Sequence, residues 1–155
     1  MRIAIGLPSR VASASGAAML EWITRAERGP FSSVVVTDRV VSQALEPLSV
    51  LALAAGATQR IRLMTSVVIG PTRETTLLAR QAATIDVLSG GRLTLGLGIG
   101  VRENDYLATG FDFHRRGRRA EEQFQSCAGC GPARTCRAKS EQSVPEPAMQ
   151  TDLSF

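Results

Sequence analysis

The fold of this chain is indicated first by residues 81–100, which have the sequence QAATIDVLSGGRLTLGLGIG. Apolar residues recur at intervals of three and four through 76–88, and this spacing predicts a helix with one buried face. That face is expected to hold Leu77, Leu78, Ala82, Ile85 and Leu88. Gly90 and Gly91 end the helix, and the apolar run 93–97 that follows is typical of a buried strand.

The same pattern precedes this unit along the chain. Strands are predicted over 3–7, 33–37, 61–68 and 93–97, and helices over 17–28, from Pro47 onward, over 76–88 and over 115–123. The strands begin about thirty residues apart, which is the length of a βα unit with parallel strands. The fold class is therefore α/β, with four βα units that correspond to the N-terminal half of a (β/α)8 TIM barrel. A flavodoxin-like sheet is the alternative, but it would require a fifth strand and helix from residues after 124.

Residues 125–155 differ in composition from the rest of the chain and predict an irregular tail. All three cysteines lie there, whereas its large apolar groups number only four, too few to build a core. Those groups are Val144, Met149, Leu153 and Phe155. We therefore expect two segments, a half-barrel over 1–124 and a tail over 125–155 that is disordered or derived from a frameshift in a truncated gene. Translation of the three reading frames downstream of codon 124 tests the frameshift.

Composition and charge exclude several classes of function. The chain has 155 residues, 44% of them hydrophobic, and a net charge of +4. No apolar run reaches the length of a membrane span, and the first residues are too short for a secretory signal, so a cytoplasmic protein without membrane contact is expected. The arginine-rich run 115–119 is followed at once by Glu121 and Glu122, which favours a solvated helical face over a nucleic-acid site.

Two further patterns could indicate metal, redox or acid–base chemistry. Cys127, Cys130 and Cys136 include a CxxC pair, but a closed zinc site needs a fourth ligand, so an adventitious cluster is the better interpretation. His114 is the single histidine, which excludes a histidine-rich metal centre. It lies among charged residues, and a solvated helix start explains it better than a catalytic base does. We therefore predict no metal site.

Polar residues and glycines cluster where the predicted strands end, and in parallel α/β folds this rim binds ligands. Asp38 follows the second strand, Ser66 lies in the third, and Gly96, Gly98 and Gly100 close the fourth. Each has an alternative interpretation. Asp38 could form a salt bridge to Arg39 or cap a helix, and the glycines could belong to a turn at a crowded barrel rim. A dinucleotide-binding fingerprint is a poor match, because it follows the first strand and requires a helix at its third glycine.

Residues 81–100, together with Arg102 to Tyr106, closely resemble the bacterial luciferase-like monooxygenase family. The resemblance covers about residues 1–124 and includes the opening residues 5–8, the pair Asp38–Arg39 and residues 113–119. It implies a (β/α)8 barrel that binds FMN or the deazaflavin coenzyme F-420 at the strand ends, with NAD(P)H or a reduced flavin as hydride source. The implied activity is hydride transfer, with or without oxygen activation, to a small organic substrate.

The resemblance also implies positions for the cofactor. Asp38 matches an acidic residue near the ring edge, and Ser66–Val67 matches a site where many members hold a cis peptide bond against the ring face. The fourth-strand loop that packs along the ring is matched by Gly98, Gly100 and Asn104. The family's sugar-phosphate dehydrogenases carry glutamate and histidine where this chain has Val101 and Arg39, which argues against that reaction. A homo-oligomer is expected, and the rival interpretation is a non-catalytic half-barrel that self-associates or is a degenerate gene product.

Overall fold

The structure is a computed structural model that describes residues 2–11 and 15–128, and its elements alternate as predicted. The strands are β1 (Ala4–Gly6), β2 (Ser33–Val36), β3 (Arg62–Thr65), β4 (Val68–Ile69), β5 (Leu93–Thr94) and β6 (Leu97–Gly98). The helices are α1 (Gly16–Arg28), α2 (Pro47–Ala57), α3 (Thr75–Leu88), α4 (Glu103–Thr109) and α5 (Arg116–Ala128), with 3-10 turns at Gly70–Thr72 and Phe113–Arg115. Cys130 and Cys136 lie outside the described residues, as does the side chain of Cys127.

All strand pairs are parallel, and the main sheet has the order β1-β2-β3-β5. Its register aligns Ile5, Val34, Leu63 and Leu93 in one row across the sheet. The central members of this row, Val34 and Leu63, are fully buried in the core that α1, α2 and α3 complete. The prediction of parallel βα units is confirmed.

The other face of the sheet is open. Gly6, Val35, Met64 and Thr94 form the adjacent row; Gly6 is exposed and the other three are half-buried. In a closed barrel the helices form the outer ring and this face lines the interior. A parallel sheet with helices packed on one face only is the architecture of a partial (β/α)8 barrel, as the sequence predicts.

The helix boundaries follow from capping groups near them in sequence. At the start of α2, the Glu46 carboxylate accepts a hydrogen bond from the Ser49 N–H at 2.6 Å, and Pro47 occupies the first turn. Glu74 caps α3 in the same way through the Leu77 N–H at 2.7 Å. Gly90 follows the end of α3 with a φ of +66°, which favours glycine. The predicted starts of α2 and α3 and the predicted end of α3 are therefore confirmed to within a residue. The predicted end of α5 at 123 is wrong, because this helix continues to Ala128, into the first residues of the segment predicted to be irregular.

The predicted buried face of α3 is partly wrong. Leu78, Ala82 and Ile85 are buried, but Leu77 is 57% exposed and Leu88 is 62% exposed. Successive residues of a helix are rotated by about 100° around its axis. The two exposed leucines therefore lie on one stripe of α3, roughly 100° around the axis from the centre of the buried stripe. The three-and-four spacing is satisfied by both stripes, and only the packing of α3 against the sheet and α2 selects between them.

Two predicted strands are each divided into two segments. The prediction over 61–68 breaks at Ser66 and Val67, and the prediction over 93–97 breaks before β6. Between the segments, the Thr65 hydroxyl donates a hydrogen bond to the Gly96 carbonyl at 2.8 Å and accepts one from the Gly96 N–H at 2.7 Å. These bonds to the Thr65 side chain replace the hydrogen bonds between main-chain groups that a strand ladder requires. Each strand is therefore interrupted here, although the residues typical of strands continue through the break.

The arginine-rich run is only partly a solvated face, which corrects the sequence-based interpretation. Arg118 does form an exposed ion pair with Glu122 at 3.0 Å. Arg119, however, lies 4.0 Å from the centre of the Phe111 ring and donates hydrogen bonds to the carbonyls of Pro71 and Arg73. These contacts attach α5 to the 3-10 turn after β4.

Helices that could cross a membrane and clusters of metal-ligating side chains are both absent from the described ranges. None of the helices there combines the length and apolar character that crossing a bilayer requires. Within the same ranges, no three metal-ligating side chains come together. His114 is exposed, and its N–H is capped by Asp112 at 2.8 Å, which agrees with a solvated helix start.

Candidate active site

The carboxyl ends of three neighbouring strands are joined by main-chain hydrogen bonds. The Ser66 N–H donates to the Val36 carbonyl at 2.8 Å, and the Asp38 N–H donates to the Val67 carbonyl at 3.2 Å. The Val68 N–H donates to the Gly96 carbonyl at 2.8 Å. The structure therefore brings Asp38, Ser66 and Val67 together with the glycine-rich end of the fourth unit, as the rim argument predicts.

Ser66 and Val67 form an open surface at this rim. The peptide bond between them is cis, as the family resemblance implies. Both residues are exposed, Val67 to 41%, although they lie between two strand segments whose other residues are mostly buried. We call Ser66, Val67 and Gly98 the platform.

The predicted glycines are required by packing inside the chain. A Cβ atom at Gly98 would lie 2.6 Å from Cγ2 of Val67, and one at Gly100, whose φ is +67°, would lie 2.8 Å from Cγ2 of Ile69. Both separations are too short for carbon atoms, so β6 and the residues after it pack tightly on β4. The crowded-rim interpretation is confirmed for these two glycines, and their contact with a cofactor stays a prediction.

The side chain of Asp38 is buried, and one of its two carboxylate oxygens accepts hydrogen bonds. Its side chain is only 2% exposed, and its Oδ2 accepts hydrogen bonds from the Ile69 N–H and from Arg73, both at 3.0 Å. The second guanidinium nitrogen of Arg73 binds Glu46 at 2.9 Å. A salt bridge was one of the two alternatives for Asp38, and it exists, but its partner is Arg73 and not Arg39. A cofactor contact of Asp38 stays a prediction.

Glu46 links this network to α2. Burial raises the pKa of its carboxyl group, but the hydrogen bonds from Ser49 and the charge of Arg73 lower it by more, so the net pKa lies below the ordinary value. Glu46 therefore carries its negative charge at neutral pH and fixes the start of α2 beside the loop that follows β4.

Asn104 lies on α4, a helix that the sequence did not predict. Asn104 is exposed, while its neighbours Asp105 and Tyr106 are buried and anchor the helix. The Asp105 Oδ1 accepts a hydrogen bond from the Val41 N–H at 2.8 Å, and the Tyr106 hydroxyl donates to the Ile99 carbonyl. The local signal for α4 was present, because acidic residues in the first turn and Gly110 after the last residue are typical of a short helix.

A cavity of about 270 Å³ lies beside Asp38, whose N–H donates to the Val67 carbonyl of the platform. It is an open cleft between the loop after β2, the 3-10 turn after β4 and the C-terminal end of α4. The polar residues of its lining are Asp38, Arg39, Glu46, Thr72, Arg73 and Thr109. Sequence reasoning named Asp38 alone among these as a site residue. Arg39 was noted only as part of the family resemblance, and the other four belong to loops without a motif.

Parallel strands, helices on one face and an open rim at the strand ends define a partial (β/α)8 barrel with its ligand-binding end formed by the βα loops. The chain belongs to the luciferase-like monooxygenase family, whose model matches residues 1–140.

Individual relatives agree with this assignment. The chain is 42% identical over 79 residues to a provisionally named coenzyme F-420-dependent oxidoreductase of Mycobacterium tuberculosis; the match covers 51% of this chain and 22% of the relative. The fold of this chain is similar to that of the oxygenating constituent of 3,6-diketocamphane monooxygenase from Pseudomonas putida. That protein is a type II Baeyer–Villiger monooxygenase whose structure was solved in complex with FMN. That likeness has a TM-score of 0.73 at 16% identity and covers 82% of this chain and 38% of the other.

A second solved structure is a coenzyme F-420-dependent tetrahydromethanopterin reductase from Methanopyrus kandleri. The TM-score is 0.59 at 27% identity, and the likeness covers 72% of this chain and 30% of the reductase. The matches therefore span less than half the length of each of these relatives. The sequence-based recognition of the family is confirmed.

Proposed function

We propose that this chain carries one wall of the cofactor site of a flavin- or deazaflavin-dependent oxidoreductase of the luciferase-like type. The whole enzyme would transfer hydride, with or without oxygen activation, to a small organic substrate, with NAD(P)H or a reduced flavin as hydride source. The observation that supports this is the open platform at the strand ends of a chain that belongs to this family.

The platform fits a flat aromatic ring. Val67 presents apolar surface, and Gly98 beside it has no side chain to block a ring. The exposed Ser66 hydroxyl can form a hydrogen bond with a polar ring edge. FMN and coenzyme F-420 share such a ring, and either would supply a hydride-accepting and hydride-donating centre when bound.

The chain's own residues would act by position and shape. Val67 would contact one ring face and exclude water from it. The Asp38–Arg73–Glu46 network joins the loops after β2 and β4 and so holds the platform in place. The protein thus orients the cofactor, and the cofactor performs the redox step.

Cofactor titration tests the proposal. The purified chain is titrated separately with FMN and with coenzyme F-420, and binding is followed by cofactor fluorescence and by the shift in unfolding temperature. We expect saturable binding near one cofactor per chain. Val67→Glu places a charge on the platform and should abolish binding, whereas Val87→Glu, the same change at a residue 68% exposed on α3, should leave it intact.

Absence of binding to the wild-type chain, or equal binding by both variants, would contradict the proposal. Circular dichroism of each variant confirms that its helices are retained.

The open sheet face favours a second candidate, a non-catalytic half-barrel that self-associates. This face is uncovered at Gly6, Val35 and Met64. The half-barrel also leaves the edges of the sheet free, and free strand edges tend to pair with other chains. Light scattering separates the two candidates when it is combined with the titration. A well-defined dimer that binds neither cofactor favours this second candidate, and cofactor binding favours the first.

A further inference from the structure

One arginine that lines the cavity beside the platform takes no part in the Asp38–Arg73–Glu46 network. Arg39 follows Asp38 at the end of β2, lines the cavity and is half-buried. Its Nε atom is inaccessible to solvent and has no hydrogen-bond partner. No acidic group in residues 2–11 or 15–128 lies within ion-pair distance of its guanidinium.

The other charged groups of the cavity already have partners. Arg73 binds Asp38 through one nitrogen at 3.0 Å and Glu46 through the other at 2.9 Å. The remaining oxygen of Glu46, Oε2, accepts the Ser49 N–H. The guanidinium of Arg39 is therefore the charged group of this lining that remains available for a ligand.

The chemistry of Arg39 itself favours a negative ligand. The carboxylates of Asp38 and Glu46 in the same lining are paired with Arg73, and that of Glu46 also caps the amino end of α2, so neither of them pairs with Arg39. A guanidinium presents five N–H donors in a planar fork that matches the oxygens of a phosphate or a carboxylate. Withdrawing this group from water without a partner costs free energy, and an oxyanion would offset that cost.

We propose that Arg39 binds an oxyanion, a phosphate or carboxylate group that belongs to the substrate or to the cofactor of the reaction proposed above. This inference deepens the proposed function and rests on it for the identity of the ligand. It makes Arg39 a specificity-determining residue, because a ligand without the anionic group would leave the guanidinium unpaired.

Calorimetric titration with inorganic phosphate tests the site directly and needs no cofactor. We expect the wild-type chain to bind phosphate and Arg39→Gln to weaken that binding by about tenfold or more, since a hydrogen bond to a charged group is lost. Arg80→Gln is the matched control, because it removes the same charge from an exposed position on α3 and should leave the affinity unchanged. Arg39→Lys keeps the charge but not the fork, and we expect it to weaken binding several-fold. It replaces Arg39→Gln should that variant fail to fold.

Comparison of FMN with riboflavin, which lacks the phosphate, identifies the source of the oxyanion. If Arg39→Gln weakens binding of FMN but not of riboflavin, the oxyanion belongs to the cofactor. If both flavins bind unchanged while phosphate binding is lost, it belongs to the substrate.

Three outcomes would overturn the inference. The first is that the wild-type chain binds no phosphate, and the second is that Arg39→Gln or Arg39→Lys binds it as tightly as the wild type does. The third is a loss of phosphate affinity in Arg80→Gln that equals the loss in Arg39→Gln. A chain that binds phosphate through Arg39 but binds no flavin or deazaflavin would refute the proposed function and leave the oxyanion site standing.

Discussion

Substitution of Arg73 by glutamine tests whether the buried ion pair holds the rim together. Arg73→Gln removes the positive charge beside Asp38, whose side chain is 2% exposed, and leaves that carboxylate with the Ile69 N–H as a partner. Breaking a fully buried pair by removing one partner costs about 3–5 kcal/mol. Because the Arg73 side chain is 19% exposed and water can partly replace it, we expect about 2–3 kcal/mol here.

Urea-induced unfolding at neutral pH, followed by circular dichroism, measures this change in the free energy of unfolding. Arg118→Gln is the control, because it breaks an ion pair of similar length whose side chains are 72% and 61% exposed. That pair should contribute at most about 0.5 kcal/mol.

A double-mutant cycle with Asp38→Asn isolates the interaction. Arg73→Gln should cost less in the Asp38→Asn background, by about 1–2 kcal/mol, since no buried charge is then left without its partner. The argument is refuted if Arg73→Gln costs no more than Arg118→Gln, or if the two substitutions at the rim are additive.

Two further predictions concern the stability of the fold. Burial raises the pKa of Glu27, but hydrogen bonds from three backbone N–H groups, including that of Ile61 at 2.9 Å, lower it by more, so the net pKa lies below the ordinary value. This carboxylate should stabilise the fold above its unfolded pKa of about 4.3. Its contribution is lost as the pH falls through the folded pKa. Glu27→Gln should therefore cost about 0.5–1 kcal/mol at pH ~7, a figure reduced because water screens this carboxylate, and should cost less as the pH falls below the unfolded pKa; a loss that does not change with pH would contradict this. Gly96→Ala should lower the free energy of unfolding by several kcal/mol, as severe steric changes do. The reason is that its Cβ would lie 2.4 Å from the Thr65 carbonyl oxygen. Gly56→Ala, in open space on α2, should instead stabilise by about 0.5–1 kcal/mol, and equal unfolding midpoints for these two variants would count against the packing argument.

The part of the site that sequence reasoning predicted depends on strand ends. The sequence analysis placed Asp38, Ser66 and Val67 together because each lies at the carboxyl end of a predicted strand, and main-chain hydrogen bonds do join them. The rest of the cavity could not be predicted in this way. Arg39 entered the sequence analysis only through the family resemblance, and Arg73 and its loop carry no motif. The length and path of a loop depend on the contacts that it makes.

The sequence by itself determined the alternation of strands and helices, their caps and the family, because these depend on residue spacing and on contacts between near neighbours. Glu46–Pro47 and Gly90–Gly91 act within one turn of their helices, so their effect can be predicted without the fold. The tertiary structure alone decided which face of α3 is buried, where two strands break and which cation neutralises Asp38. Thr65 and Gly96 are 31 positions apart, and Asp38 and Arg73 are 35 apart. Contacts over such separations depend on the register between parallel strands, and that register is set only when the helices pack on the sheet.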